Sequence, residues 1–171
     1  MTAYAALDVS KKSTSIHVVD EKGACLWRGK TLTDPEALAA ALAPFAEDLA
    51  LVGLETGCWT TWLWHELTER GFSMVCMDAR QAHAALSVTI NKTDANDAQG
   101  LAHLLRTGLF REVRVKGWED MQKRTLLRAR STMLRCVLDL ANAIRGALRT
   151  FGISLPAGTG NGGAKTFERR V

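Results

Sequence analysis

The first part of the chain alternates short apolar runs with turn-forming residues. Three runs, AYAALDV, TSIHVVD and ACLWRGK, are separated by the polar stretches SKKS and EKG. Strand-like runs joined by short polar turns are typical of antiparallel hairpins. The pattern therefore predicts a three-stranded antiparallel meander at the start of the fold.

A helix is predicted next, over the apolar segment EALAAALAPFA. The preceding residues TDPE predict a capping box, in which the Thr33 side chain and the Glu36 carboxylate satisfy the first free amides. Pro35 suits the first turn, where no donor is needed.

Buried strands and helices then alternate as far as Gly108. The runs DLALVGLE and FSMVCMD are continuously apolar, which favours buried strands, whereas TTWLWHELTER has helical spacing and stops at Gly71. The segment NKTDANDAQGLAHLLRTG predicts a helix that begins near Thr93 or Asp94 and ends at Gly108. This alternation predicts a mostly parallel central sheet with an antiparallel hairpin on one side.

Residues 121–151 contain no proline, and their apolar positions recur in heptads. That repeat predicts a long helix with a seam for another helix. One row is Leu127, Leu134, Ala141 and Leu148; the other is Val137, Ile144 and Phe151. The remaining faces carry Arg124, Arg128, Arg130, Arg135, Arg145 and Arg149. These arginines are as consistent with a surface that contacts nucleic acid as with one that is only solvated.

The composition limits the class of protein. The chain has 171 residues, 47% hydrophobic and 23% charged, and a net charge of +4 with a pI near 9.0. These values are typical of one globular domain with an extension, and they weakly indicate a polyanionic partner. The four cysteines lie far apart and predict free, mostly buried thiols in a reducing cytoplasm. We expect a cytoplasmic bacterial protein without an export signal or membrane helix.

Four acidic residues, Asp8, Glu55, Asp94 and Asp97, lie at predicted strand ends or at a helix start. Each alone has an ordinary explanation as a turn residue or a first-turn acid. Glu55 is the exception, because a carboxylate in a buried strand needs a cation, a hydrogen bond or exposure. Should the four converge, they predict a Mg²⁺ or Mn²⁺ site, since clustered carboxylates repel one another without a cation.

The segments ALDVSKKSTSIHVVD, VGLETG and NKTDANDAQGLAHLLRTG closely resemble the DEDD signature of the insertion-sequence one-ten transposases. That family includes the Piv DNA invertases and the bridge-RNA-guided recombinases. The resemblance covers nearly the whole chain and implies an α/β fold, a ribonuclease H-like (RuvC-like) mixed sheet flanked by helices and followed by a long coiled-coil-type helix. The implied divisions are a catalytic domain over 1–115, the arginine-rich helix over 116–155 and a Gly-rich linker over 156–171.

By this resemblance Asp8, Glu55, Asp94 and Asp97 take the family's four metal-binding positions for DNA strand cleavage and exchange. The resemblance also implies a guide RNA, and a homo-oligomer formed through the long helix. Full-length relatives carry a second transposase domain with a catalytic serine, and this chain ends before it. Ser131 and Ser154 do not match that motif, so the chain alone is not expected to be a complete recombinase.

Two alternatives remain open. One is a Holliday-junction-resolvase-like nuclease that acts without serine chemistry, and the other is a non-catalytic module for nucleic-acid binding and oligomerisation.

Lys11, Lys12 and Lys92 are candidate phosphate contacts, although solvated surface lysines are the commoner case. Among the tryptophans, Trp62 is predicted to lie in the core rather than to stack on bases.

Overall fold

A five-stranded mixed sheet forms the centre of the first of two compact units, residues Met1–Lys116. The structure is a computed structural model that describes residues 1–86 and 94–155, without the side chains of residues 86 and 94–96. The strands are β1 (Ala3–Val9), β2 (Ser13–Asp20), β3 (Cys25–Leu32), β4 (Leu49–Glu55) and β5 (Met74–Met77). They lie in the order β3-β2-β1-β4-β5.

The first three strands form the predicted antiparallel meander, while β4 pairs parallel to β1 and β5 parallel to β4. In the described part of the chain, four helices flank this sheet: α1 (Pro35–Leu42), α2 (Thr60–Glu69), α3 (Ala79–Leu86) and α4 (Asp94–Thr107), with a 3₁₀ turn over Ala43–Phe45. Gly71 and Gly108 follow α2 and α4 with φ of 92° and 70°. This confirms the predicted fold class and both left-handed helix ends.

The cap of α1 differs from the prediction. Asp34, not Thr33, caps this helix, and its carboxylate accepts a 3.0 Å hydrogen bond from the Ala37 amide. The Thr33 hydroxyl instead donates to the Ser10 carbonyl at 2.8 Å. The predicted capping box is wrong because the β1–β2 turn, distant in sequence, engages the threonine.

Each face of the sheet carries its own apolar cluster. In β1, Ala5 and Leu7 belong to the first cluster, which includes residues of α1 and α2, while Ala6 belongs to the second, which includes residues of α4. Successive residues of a strand point to opposite faces, so a sheet covered on both sides needs such continuous apolar runs. Trp62 packs against the first cluster, as predicted.

Residues 109–116 run along the outer edge of β5. The Val113 amide donates to the Cys76 carbonyl at 2.8 Å, and the Asp78 amide donates to the Arg111 carbonyl at 2.9 Å. Val113 and Val115 also pack against the first cluster. The sequence pattern predicts only a polar connection here, whereas the segment covers an edge that would otherwise expose unpaired backbone groups.

The prediction of mostly buried cysteines is wrong. Cys76 is buried in β5, but Cys25, Cys58 and Cys136 are exposed. The three exposed thiols lie at the start of an edge strand, in the turn after β4 and on a helix, and neither apolar cluster includes them. Burial raises the pKa of the Cys76 thiol to about 11, with Glu112 and Asp78 adding to the effect.

The second unit, Gly117–Val171, is described as far as residue 155 and contains α5 (Trp118–Arg149). This 32-residue helix has no buried residue, and its apolar heptad positions Leu127, Leu134 and Val137 are exposed. The predicted linker over 156–171 lies outside the described residues. No helix in the described part of the chain is both long and apolar enough to cross a membrane.

Candidate active site

Asp8 and Glu55 lie side by side where the parallel strands β1 and β4 end. We call this end of the sheet, defined by these two residues, the acidic edge. Leu7 of β1 is in register with Leu54 of β4, so the next residue in each strand is one of the two acids. Neighbouring parallel strands lie about 4.8 Å apart, which brings the two carboxylates within reach of a common ligand. Both residues are half-buried.

The two acids also share a face of the sheet. Asp8 alternates with Ala6, a residue of the second cluster, and Glu55 is in register with Met77 of the same cluster. Residues paired directly across two strands point to the same side. The two carboxylates therefore face the side of the sheet on which α4 packs.

Helix α4 has its N-terminal end at this same edge. Near its other end, the side chain of Leu105 lies against Gly53, two residues before Glu55, and the Arg106 guanidinium donates to the Glu21 carbonyl at 3.2 Å. Glu21 lies in the β2–β3 turn, at the end of the sheet where β1 begins, opposite to the acidic edge. The first turn of α4 therefore points towards Asp8 and Glu55.

Asp97 lies in that first turn. It is half-buried, and it precedes the buried residues Ala98 and Leu101 on the face of α4 that packs on the sheet. Asp97 and Leu105 are two turns apart, about 12 Å along the helix, which carries Asp97 beyond the level of Gly53. Asp94 is the first residue of α4. Its side chain, together with Lys92 and Thr93, lies outside the described residues.

The chemistry of these residues suits a hard divalent cation, since carboxylate oxygens are the ligands that Mg²⁺ and Mn²⁺ prefer. Within residues 1–86 and 94–155, no group of three or more His, Cys, Asp or Glu residues lies close enough to hold a metal ion. Asp8, Glu55 and Asp97 therefore do not form such a group by themselves. The Asp94 side chain lies outside the described residues, so the predicted set of four stays a prediction.

The turn after β4 is held by Thr60, a residue that the sequence reasoning did not single out. Its hydroxyl donates to the Glu55 carbonyl at 2.7 Å and accepts from the Gly57 amide at 2.6 Å. Thr56 ties the same turn to β5 through its amide, which donates to the Met77 carbonyl at 2.9 Å. The sequence feature that could have indicated this role is a threonine at the start of a helix, five residues after Glu55, because its hydroxyl can hydrogen-bond to a preceding backbone carbonyl.

A further acid ends the neighbouring strand, but it has a structural role. Asp78 follows β5, and its carboxylate accepts hydrogen bonds from the amides of Arg80 and Gln81 at 2.9 and 3.3 Å. This is the arrangement of a helix N-cap. Asp78 therefore positions the start of α3.

The predicted basic contacts are spread over both units. Lys11 and Lys12 are exposed in the turn between β1 and β2, next to the strand end that carries Asp8. On α5 the arginines are exposed except for Arg145, which is half-buried. The exposed set is Arg124, Arg128, Arg130, Arg135 and Arg149. These positions permit contact with nucleic acid, and that role stays a prediction.

The sheet order and the pair of acids at the ends of parallel strands define the class as a ribonuclease H-like domain with an acidic edge. A family model described as Transposase, for the DEDD transposases of the IS110 type, matches residues 5–153. The chain belongs to this family.

One curated relative and two solved structures are similar to parts of this chain. The "Transposase for insertion sequence element IS1111A" of Coxiella burnetii (strain RSA 493 / Nine Mile phase I) is 33% identical over 76 residues, which is 44% of this chain and 21% of that protein. The match thus spans about a fifth of the relative. The Thermus thermophilus RuvC structure is 16% identical with a TM-score of 0.44, covering 66% of this chain and 100% of that one. The large terminase nuclease from thermophilic phage G20c is 18% identical with a TM-score of 0.38, covering 63% and 54%.

Proposed function

We propose that this chain is the metal-dependent catalytic part of a DNA transposase, which cleaves and exchanges DNA strands. The observation that carries the proposal is the register of β1 and β4, which sets Asp8 beside Glu55 on the face covered by α4. Asp97 lies in the turn of α4 that points to the same edge. Membership of the transposase family supports DNA as the substrate.

Asp8, Glu55, Asp94 and Asp97 would hold the Mg²⁺ or Mn²⁺ ions. When bound there, such ions activate the attacking oxygen and stabilise the leaving oxygen of the phosphodiester. The protein's own contribution is to position the ligands: the parallel register orients Asp8 and Glu55, and the Thr60 hydroxyl fixes the backbone of Glu55. Removing one carboxylate should weaken metal binding, because the remaining oxygens supply less negative charge.

The wider assembly is part of the same proposal. Strand exchange would require a second, serine-bearing transposase domain, and target choice would use a guide RNA. The exposed heptad positions of α5, such as Leu127 and Leu134, support pairing with the same helix of a second copy. The exposed arginines of α5 support contact with nucleic acid at the same time.

The direct test measures Mn²⁺ binding by calorimetry on the protein and on two variants, Asp8→Asn and Glu55→Gln. Both variants should lose most of the binding, while the control Asp139→Asn, an exposed acid on α5, should bind like the unmodified protein. Equal Mn²⁺ binding by all four proteins would refute the acidic edge as the metal site.

A second assay separates the proposal from its two alternatives. The protein is incubated with linear and branched DNA and Mg²⁺. Cleavage of branched DNA by this chain alone would favour the resolvase-like nuclease. Metal binding without cleavage, with cleavage restored by an added serine-bearing domain, would favour the transposase. Nucleic-acid binding without any metal binding would favour the non-catalytic module.

A further inference from the structure

Lys30 stands in the same row of the sheet as Asp8. Asp8 of β1 is in register with Ser15 of β2, and Ser15 is in register with Lys30 of β3. Residues paired directly across strands share a face, so Lys30 lies on the α4 side of the sheet, about 10 Å from Asp8 between Cα atoms. The row thus leads from the acidic edge to a cation on the outermost strand.

The next row of the sheet on this face ends in a second cation. Ala6 is in register with His17, and His17 with Arg28. Arg28 and Lys30 are therefore on the same face of β3, about 7 Å apart along the strand. Both are exposed, because α4 packs mainly over β1 and β2.

Two further basic side chains, on α4, lie against the β2–β3 turn. A Cβ at Gly23, in the β2–β3 turn, would lie 3.1 Å from the His103 ring and 3.2 Å from Nε of Arg106. The last turns of α4 therefore close against that turn, while the Lys30 end is exposed. We call this feature the β3 trough: Arg28 and Lys30 on β3, His17 between the elements, and His103 and Arg106 on α4.

The trough concentrates positive charge beside buried polar atoms. Within the described part of the chain, neither Arg28 nor Arg106 forms a salt bridge with a carboxylate. His17 is 4% exposed, and desolvation lowers its pKa, with His103 and Arg28 adding to the effect. Nε2 of His17 and Nε of Arg106 are buried without a hydrogen-bond partner among the described residues. Such atoms are expected where water or a ligand completes the site.

We infer that the β3 trough binds the phosphate backbone of DNA and leads it to the acidic edge. This inference rests on the proposed function, since Lys30 of the trough lies in the same row of the sheet as Asp8, with the buried Ser15 between them. Its charge is complementary to phosphodiesters, and the carboxylates alone would repel them. The competing explanation is that Arg28 and Lys30 only guard an edge strand against pairing with another chain.

The test compares Arg28→Gln and Lys30→Gln with the control Arg70→Gln. Arg70 follows α2, whose buried residues Leu63 and Leu67 belong to the cluster on the other face of the sheet. It pairs with Glu66 at 2.6 Å, so the control removes one positive charge at a site remote from the trough. Binding of labelled duplex DNA is measured by fluorescence anisotropy in EDTA over a series of salt concentrations. Each trough substitution should weaken binding by about threefold to tenfold and lower the slope of log affinity against log salt by about 0.9. The control should change neither.

Several results would overturn the inference. These are the absence of DNA binding by the unmodified protein, equal losses in all three variants, and a loss seen with RNA but not with DNA. A change in oligomer mass without a change in DNA affinity would assign β3 to contact with a second copy. Mn²⁺ binding, measured on the same variants, keeps the two ideas apart. If Mn²⁺ binding is intact and DNA affinity is unaltered in the trough variants, only the inference about the trough is refuted. If the trough variants lose DNA affinity but none of the proteins binds Mn²⁺, only the proposed metal site is refuted.

Discussion

Replacing Glu55 by glutamine is expected to stabilise the metal-free protein. Asp8 and Glu55 occupy neighbouring positions on strands about 4.8 Å apart. Two like charges about 5 Å apart repel by about 0.8 kcal/mol in water and about 3 kcal/mol at an effective dielectric constant of about 20. Because both side chains are half-buried, Glu55→Gln should raise the free energy of unfolding by about 1–3 kcal/mol in EDTA.

The same substitution should remove the response to metal. An ion that binds only the folded protein adds about 2.7 kcal/mol to its stability when its concentration is a hundred times the dissociation constant. The unmodified protein should gain this term, whereas the glutamine variant, with one proposed ligand fewer, should gain little. The order of stability of the two proteins should therefore reverse between EDTA and saturating Mn²⁺.

Urea unfolding followed by tryptophan fluorescence measures both effects, since Trp27, Trp62 and Trp64 pack against the first cluster. Asp139→Asn serves as the charge-matched control and should follow the unmodified protein in both conditions. The reasoning fails if Glu55→Gln destabilises the protein in EDTA. It also fails if Mn²⁺ stabilises the variant as much as the unmodified protein.

Three further predictions concern the surroundings of the acidic edge. Thr60→Val removes both hydrogen bonds of the turn after β4, so urea unfolding should show a loss of about 1–3 kcal/mol and calorimetry a weaker affinity for Mn²⁺. Gly53→Val should cost about 1–3 kcal/mol by the same assay, because even a Cβ there lies 3.0 Å from Leu105, whereas Gly146→Val, in open space on α5, should not. A thiol reagent should label the three exposed cysteines of the native protein quickly and Cys76 slowly, with the Cys76 rate rising as the pH approaches about 11. Since the folded pKa of Cys76 is raised, its contribution to stability is present at neutral pH and is lost as the pH rises through that value, which unfolding at alkaline pH would detect.

Sequence patterns predicted the parts of the fold that local periodicity governs. The meander, the two buried strands and the ends of α2 and α4 follow from runs of neighbouring residues and from Gly71 and Gly108. The positions of Asp8 and Glu55 at strand ends were predicted for the same reason. Their adjacency needed one additional rule, namely that parallel strands end at the same edge of a sheet.

What the sequence did not predict depends on contacts between distant segments. The local sequence predicts Thr33 as the N-cap, but its hydroxyl donates a hydrogen bond to the Ser10 carbonyl, and Asp34 caps α1 instead. Residues 109–116 look like a polar connection, and only the presence of β5 beside them makes Val113 a pairing residue. The sequence did not predict the β3 trough for a similar reason: the face of the sheet on which Arg28 and Lys30 lie follows from their pairing with His17 and Ser15 of β2.

The strand order explains why the acids meet where they do. After β1 the chain turns back into β2 on one side, and after β4 it passes through α2 to β5 on the other side. The connections therefore leave in opposite directions between β1 and β4, and open sheets form their ligand crevices at such points. The N-terminal end of α4 points to the same crevice, and its partial positive charge favours anions there. Under the proposed function, a phosphodiester approaching this crevice would meet carboxylates first, so productive binding would require cations on both sides of the scissile bond. These would be the metal ions proposed at Asp8 and Glu55, and the side chains of the β3 trough beyond Ser15.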